Sequence, residues 1–498
     1  MTGNLLPEGV NIAHPEKLYI GGQWVSPSGG GTIEIVSPNT EQVVGRVAEA
    51  READMDSAVA AARTAFEAGP WPTLPVAERA RYLRAMAAHL EKRQGELTAA
   101  YVAQIGVLVT MAPGMMAQGT ANFTKYADIG EHYDWVKQEA CVMPGHVGYV
   151  VREPVGVVAA IAPWNVPYVI MTQKVAPALI AGNTVVMKPS PETPLEAYLI
   201  AEAADAVGLP AGVLNLVPSH REAADHLVCN PGVDKVSFTG STVAGRRIAT
   251  VCGERIARVT LELGGKSAAI VADDMPTPVA ARILARTITI LSGQVCAMLS
   301  RAIVPAHRHD ELAAAIAEEM RAVKIGYSTD PASEMGPLAM KRQLERVEGY
   351  IARGKAEGAD LLQGGGRPSH LNRGFFIEPT LFGNVDNRST IAQEEIFGPV
   401  LSLIKADDMD HAIALANDSN YGLNGAVLTN DVDTAYKVAR RIRTGNVAQN
   451  GMKADFNLPF GGFKQSGIGR EGGVEGLMPY VETKTLILEA APAAAAAQ

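Results

Sequence analysis

Seven short segments of the 498-residue chain carry side chains that can do chemistry. In "LSGQVCAMLSR", 291–301, Cys296 follows Gly293 and Gln294. Free cysteine is usually a small inert buried side chain and becomes a strong nucleophile only as a thiolate, so this segment alone leaves both readings open. In "LELGGKS", 261–267, Glu262 sits inside an apolar strand, and two glycines follow. A carboxylate in apolar surroundings has a raised pKa and serves as a general base near neutrality; on an edge strand it would merely face water. Asn165 stands in the proline-stiffened turn "IAPWNVP", 161–167, where its amide can receive an oxyanion or cap a helix.

The remaining segments suit a phosphate-bearing ligand. In "FTGSTVAG", 238–245, a strand ends, Gly240 turns the chain and Ser241 opens a helix whose free N–H groups favour a phosphate. The spacing is G-S-T-x-x-G rather than G-x-G-x-x-G, and a plain turn and cap explains it equally. "MKPS", 187–190, puts Lys188 and Ser190 at the end of a strand, on the ligand side of a parallel sheet, although a solvated lysine is the simpler reading. "EEIFGPV", 394–400, and "PFGGFKQSGIGRE", 459–471, complete the set.

Alternating elements must position these segments. From about 150, strand and helix signals alternate: "GVVAAIAP", a helix starting at Pro167 and stopping near Gly182, "TVVMKPS", and a helix capped by Thr193 and stopped at Gly208. "VLNLVP", "HREAADHLVCNP", "KVSFTG" and a helix opened by Ser241 follow. Such β-α repeats build a parallel sheet covered on both faces. A second alternating block runs from 267 to about 430, short strands precede residue 40, and a helical region spans 53–105. "GHVGYVVREP" and "YVETKTLILEA" are two-faced strands predicted to pair as a ribbon, and the alanine-rich 491–498 is predicted to be disordered.

Composition narrows the class. A 47% hydrophobic chain fills large cores, and a net charge of −9 without basic runs excludes nucleic-acid binding. Four cysteines at wide spacing form neither a metal pattern nor a disulfide framework, so no metal is expected and a cytoplasmic location fits. The N-terminus lacks the pattern of a secretory signal. The apolar stretch 155–172 is broken at its centre by Pro163, Asn165 and Pro167, so no membrane span is predicted.

Taken jointly, "PWN", "KPS", "FTGST", "LELGGKS", "GQVC", "EEIFGPV" and "PFGGFKQSGIGRE" resemble the signature segments of the aldehyde dehydrogenase superfamily in type, order and spacing, from about residue 18 to about 488. The resemblance implies an α/β chain of two Rossmann-like doubly wound domains and a small β-ribbon oligomerisation arm. Residues 1–127 and 153–262 would bind the cofactor, 263–475 would form the catalytic domain, and 128–152 with 476–490 would form the arm of a homodimer or homotetramer. It makes Cys296 the nucleophile toward an aldehyde, with the oxyanion between the Asn165 amide and the Cys296 backbone N–H. Glu262 would activate the water that hydrolyses the thioester, helped in proton exchange by Lys174 and Glu471. Trp164, Lys188, Ser190, Gly240, Ser241, Glu395 and Phe397 would contact the cofactor.

NAD is the expected cofactor, with NADP possible. NAD-preferring relatives often carry a glutamate three residues after the lysine, and here that position is Pro191, with Glu192 next. The expected substrate tunnel, Val166, Ile170, Gln173, Val295, Ala297, Phe456 and Phe460, is mostly apolar and lacks a cation to clamp an anionic substrate. A neutral, apolar aliphatic or aromatic aldehyde follows. A CoA-acylating aldehyde dehydrogenase is the close alternative, disfavoured by Glu262. A cofactor-independent thiol esterase lacks a matching histidine, and a non-enzymatic protein on this fold would have lost the nucleophile or the base.

Overall fold

The computed structural model describes residues 5–492. Its first sheet contains five parallel strands in the order Leu214–Leu216, Thr184–Lys188, Val157–Ile161, Lys235–Thr239 and Arg258–Glu262. Every residue of the middle three is buried, as expected of parallel strands covered on both faces. Counted along the chain this order is 3-2-1-4-5, so it reverses direction between Val157–Ile161 and Lys235–Thr239. Ligands of such sheets bind at that reversal, beyond the carboxyl ends of the strands. Helices Val76–Lys92, Ala112–His132, Pro167–Ile180 and Leu195–Ala206 pack one face, and Glu52–Glu67, Arg221–Cys229 and Thr242–Glu254 the other.

The second sheet starts at Ser267, with only Leu263–Lys266 after the first sheet's last parallel strand, so Glu262 stands at the seam. Its parallel strands run in the order Thr380–Gly383, Val400–Ala406, Leu299–Pro305, Ser267–Val271, Gly425–Leu428, Ala448–Gln449, with antiparallel Asp360–Gln363 at one edge. The two doubly wound sheets match the predicted fold class. Gly467–Ile468 returns to the first sheet and pairs antiparallel with Leu261 and Glu262, closing that strand's otherwise open edge. Part of the stretch assigned from sequence to the catalytic domain is therefore hydrogen-bonded in the other one.

The predicted ribbon forms: Val481–Leu488 pairs antiparallel with Val147–Pro154, and Val136–Glu139 adds a third strand. Its start lies later than 128, because helix Ala112–His132 continues to His132. Packing holds that last turn: Gly130 lies against Ile180, where a Cβ would fall 2.3 Å from the Ile180 side chain. The stretch 155–172 is a strand, a turn and a helix start, and among the described residues no helix is long and apolar enough to cross a membrane. Of the tail, Ala491 and Pro492 are exposed and 493–498 lie outside the described residues.

Capping divides into one success and one correction. Ser241 caps its helix, its Oγ accepting from the Ala244 amide at 3.3 Å. Thr193 does not cap: Pro194 precedes the helix, and the first amide, Leu195 N–H, donates to Gln104 Oε1 instead. Beside it Glu196, 1% exposed, bonds Gln104 Nε2 through one carboxylate oxygen and leaves the other unpartnered. Burial pushes this carboxyl up to about 8. A carboxyl whose pKa is raised on folding costs stability increasingly from its unfolded pKa up to its folded one. Glu196→Gln is therefore expected to stabilise the protein by about 1–3 kcal/mol at pH 8 and by less at pH 5. Thermal unfolding at the two pH values checks it.

Candidate active site

The Cys296 loop follows helix Thr277–Thr289 as three successive left-handed residues, Leu291, Ser292 and Gly293, with φ 48°, 54° and 77°. Non-glycine residues in that region cost about 1–3 kcal/mol each and persist only when other contacts hold them. Here Ser292 Oγ donates to the Gly336 carbonyl at 2.8 Å. Gln294 donates from Nε2 to the Leu291 carbonyl and accepts the Ala339 amide on Oε1, both at 2.9 Å. Glycine is required at 293: a Cβ would lie 2.1 Å from the Gly398 carbonyl carbon. That contact brings the 395–398 loop against the Cys296 loop.

Cys296 is half-buried at the rim of a small apolar cluster formed by Ala297, Leu423 and Phe460, with Val295, Met452 and Phe456 around it. Phe456 and Phe460 meet edge to face at 5.4 Å. Asn165 comes from the other sheet. Its Nδ2 donates to the Gln294 carbonyl at 2.8 Å, two residues from Cys296, and its own carbonyl accepts the Tyr101 hydroxyl at 2.9 Å. It does not cap the helix; Val166 occupies that position. An amide has two N–H donors, so the second is free to meet an oxyanion.

Glu262 ends its strand 3% exposed, and neither carboxylate oxygen has a hydrogen-bond partner. It packs on the Gly461 backbone, where a Cβ would fall 2.6 Å from Oε1. Burial, and then the charge of Glu471, push its pKa well above the ordinary carboxylate range, against the pull of Lys174 and Arg470. Lys174 is fully buried and donates to Glu471 Oε1 at 2.5 Å and Thr239 Oγ1 at 2.8 Å. Glu471 is set by an antiparallel bridge to Phe460, so one loop carries a wall of the apolar cluster, the backbone beside Glu262 and the carboxylate on Lys174.

The other edge of the cleft is the sheet reversal. Gly240 N–H donates to the Glu262 carbonyl at 3.0 Å, and helix Thr242–Glu254 starts there with Ser241 as its cap and the Thr242 hydroxyl buried without a partner. Lys188, opposite Ile161 in the neighbouring strand, is buried and its ammonium is pushed down to about 8 by that burial. Glu395 accepts the Gly265 amide at 3.2 Å and sits so close to Gly264 that a Cβ there would be 2.3 Å from Oε2; burial pushes it up to about 7. Phe397, at φ 63°, meets Trp164 edge to face at 5.2 Å across the cleft. Gln343 and Arg346 hold this loop by donating to the Phe397 and Glu395 carbonyls, each at 2.6 Å. The helix N-terminus, the glycine-cleared backbone and the flanking Lys188 and Glu395 suit a dinucleotide lying over the sheet.

Val166 and Ile170, expected to line the tunnel, are partly buried and, like Val295 and Trp164, pack against the core of the first sheet. Gln173, expected beside them, is instead fully buried, its Nε2 donating to Asn122 Oδ1 at 2.9 Å, because a buried amide needs a partner and the facing helix supplies one. Tyr101, Gln343, Arg346, Leu423 and Met452 escaped the sequence analysis, since each sits in an ordinary amphipathic or apolar pattern. Among the described residues no group of histidine, cysteine and carboxylate side chains could hold a metal. Cys141, Cys229 and Cys252 are free thiols apart from this cleft.

Burial, Glu395 and Glu262 together push the Cys296 thiol up to about 12. Below such a value the thiolate fraction rises tenfold per pH unit. Alkylation of Cys296 in cofactor-free protein is therefore expected to quicken about tenfold per unit from pH 7 to 9, and to be faster in Glu395→Gln at every pH. Mass spectrometry of iodoacetamide-labelled protein measures both.

Two doubly wound sheets thus bring a half-buried cysteine, an amide and an unpaired carboxylate to one cleft. Residues 24–486 match the family model described as "Aldehyde dehydrogenase family", and the chain belongs to that family. It is 45% identical over 475 residues to geranial dehydrogenase of Castellaniella defragrans, covering 95% of this chain and 98% of that one. A Mycobacterium tuberculosis aldehyde dehydrogenase complexed with NAD+ superposes with a TM-score of 0.93 at 44% identity, covering 96% and 98% of the two chains. A variant of aldehyde dehydrogenase C from Pseudomonas syringae, in complex with NAD+ and octanal, superposes with a TM-score of 0.92 at 38% identity, covering 97% and 99%.

Proposed function

We propose that the protein oxidises a neutral, apolar aldehyde to its carboxylic acid with NAD+, through a covalent thioester on Cys296. The convergence of Cys296, Asn165 and Glu262 from two sheets carries this reading. The Cys296 sulfur adds to the aldehyde carbon, and the carbonyl oxygen becomes an oxyanion held by the Asn165 amide and the Cys296 N–H. Gly240, Ser241 and Lys188 would hold the dinucleotide at the sheet reversal, with Glu395, Phe397 and Trp164 about its nicotinamide half. When bound, the nicotinamide supplies the hydride acceptor. Glu262 then takes a proton from water, which attacks the Cys296 thioester and releases the acid and the thiol. Lys174 and Glu471 lie behind Glu262 to accept and return that proton.

The wall of Leu423, Phe456, Phe460, Val295, Ala297 and Met452 supports an apolar substrate. The names of two relatives, one for geranial and one solved with octanal, support the same class. The exposed edge strand Val136–Glu139 of the ribbon supports pairing of subunits in a homodimer or a dimer of dimers. The test is a panel of neutral aldehydes, with appearance of reduced nicotinamide followed separately for NAD+ and NADP+. Turnover of medium-chain or aromatic aldehydes and neglect of carboxylate-bearing ones is the expected result. Preference for an anionic aldehyde would overturn the substrate class, and no turnover of any aldehyde would overturn the function.

A further inference from the structure

Two strands of the first sheet depart from the composition of their neighbours. Parallel strands covered on both faces are ordinarily apolar throughout. Lys235–Thr239 and Arg258–Glu262 instead alternate, with Val236, Phe238 and Leu261 in the core under one face. Their other face carries Lys235, Ser237 and Thr239 beside Arg258, Thr260 and Glu262, paired in register as three rungs. Side chains two apart on a strand share a face, so these residues form one polar stripe. It runs from Glu262 at the carboxyl end to Arg258, which is 48% exposed and ion-paired with Glu482 of the ribbon. Lys235, Ser237, Thr239 and Thr260 are buried between those ends.

Hydrogen bonds tie the stripe together. Lys174, from the helix lying over it, donates to Thr239 Oγ1 at 2.8 Å and to Ser237 Oγ at 3.4 Å, as well as to Glu471. The Tyr480 hydroxyl bonds Ser237 Oγ at 3.0 Å, and its ring lies 4.9 Å from Lys235 Nζ. Lys235 Nζ donates to Thr260 Oγ1 at 2.6 Å, and Thr260 stands opposite Ser237 in the register. The titratable groups facing Lys235 are Lys174, Arg258, Glu471, Cys252 and Tyr480. Burial, then the charges of Lys174 and Arg258, push its ammonium down to about 7, against the pull of Glu471 and Cys252. Near neutrality it therefore takes up and gives off a proton. A methionine would fill the same space without the cost of burying an amine.

Hydrolysis leaves a proton on Glu262 at every turnover, and Lys174 and Glu471 behind it are themselves buried. We propose that the stripe carries this proton from the Lys174–Glu471 pair to the surface beside Arg258 and Glu482, with Lys235 as its last buried carrier. The proposal rests on the reading of Glu262 as the base. A hydroxyl accepts one proton while releasing its own, so Ser237 and then Thr260 pass it on. The Lys235 amine holds it as ammonium, and water at the Arg258 end takes it. Only O–H and N–H bonds form and break, and every carrier returns to its starting state.

Rapid mixing of a medium-chain aldehyde and NAD+ with the full-length enzyme and with Lys235→Met separates thioester formation from hydrolysis. Reduced nicotinamide is expected to form in the first turnover at the wild-type rate, and steady turnover to fall at least about tenfold. Added to Glu262→Gln, Lys235→Met is expected to slow the residual hydrolysis no further, because a path behind the base matters only when the base is there. Ser237→Ala, smaller by one atom, is expected to lower steady turnover in the same selective way, and it carries the test if the lysine variant does not fold. Steady turnover of either folded variant at the wild-type rate would overturn the proposal. So would a first-turnover loss equal to the steady loss, or a further tenfold loss on top of Glu262→Gln, since each marks damage to the shape of the site. If wild type forms no reduced nicotinamide from any aldehyde, the reading of the site itself fails and takes the proposal with it.

Discussion

Cys296→Ala is expected to lower aldehyde-dependent formation of reduced nicotinamide by at least about 10⁴-fold. No other thiol lies in the cleft to replace it, and the apolar cluster around Cys296 offers no alternative nucleophile. The substitution should leave the fold intact. The loop is held by Ser292 and Gln294 rather than by the sulfur, and Cys296 is only half-buried, so removing one atom opens little space. Stopped assays with NAD+ and a medium-chain aldehyde check the loss, and NAD+ binding to the same variant checks that the dinucleotide site survives. A variant that oxidises aldehydes as fast as wild type would remove Cys296 from the mechanism. A variant that loses ester cleavage, from a wild type that never reduces NAD+, would favour a thiol esterase.

The second large effect is expected at Glu262. Glu262→Gln keeps the shape of the side chain but cannot take a proton, so thioester formation should proceed and hydrolysis should slow by about 10²–10⁴-fold. Rapid mixing with aldehyde and NAD+ should then show a burst approaching one reduced nicotinamide per subunit, followed by a near stall. The raised pKa fixes the sign of the pH dependence. Only ionised Glu262 is a base, so steady-state turnover of wild type falls as pH drops through that raised value, and the residual rate of Glu262→Gln should lack this limb. Full steady-state turnover by the variant, with no burst, would show that another group activates the water. Faster release of the variant's acyl group by added coenzyme A than by water would show that Glu262 serves hydrolysis specifically.

The class of enzyme was legible because its parts lie in contiguous segments. Strand, turn and helix start are encoded locally, so "IAPWNVP", "MKPS" and "FTGST" could each be placed at the end of a strand from the sequence; all three line the carboxyl edge in the fold, and Glu262, expected inside its strand, ends it there too. The parallel order is also largely local, since β-α alternation leaves few ways to wind a sheet. Gln173 shows where this stops. The resemblance put it on the expected tunnel, but Asn122 sits 51 residues away on a separate helix and claims the amide. Thr193 fails for the same reason, with Gln104 taking the amide it was expected to cap.

The sequence by itself determined the elements, their alternation and the chemical types at each strand end, because backbone preference and hydrophobic period act over a few residues. Only the tertiary structure decided how those types behave. Asn165 meets the Cys296 loop across 129 positions, and Lys174 meets Glu471 across 297. The Glu262 carboxyl is pushed well above its ordinary range because folding buries both its oxygens without a partner beside Glu471. Gly293, Gly264 and Gly461 are needed because another chain segment passes where a Cβ would stand. Burial, charge proximity and steric exclusion depend on distances in space, and residues far apart in the chain set those distances.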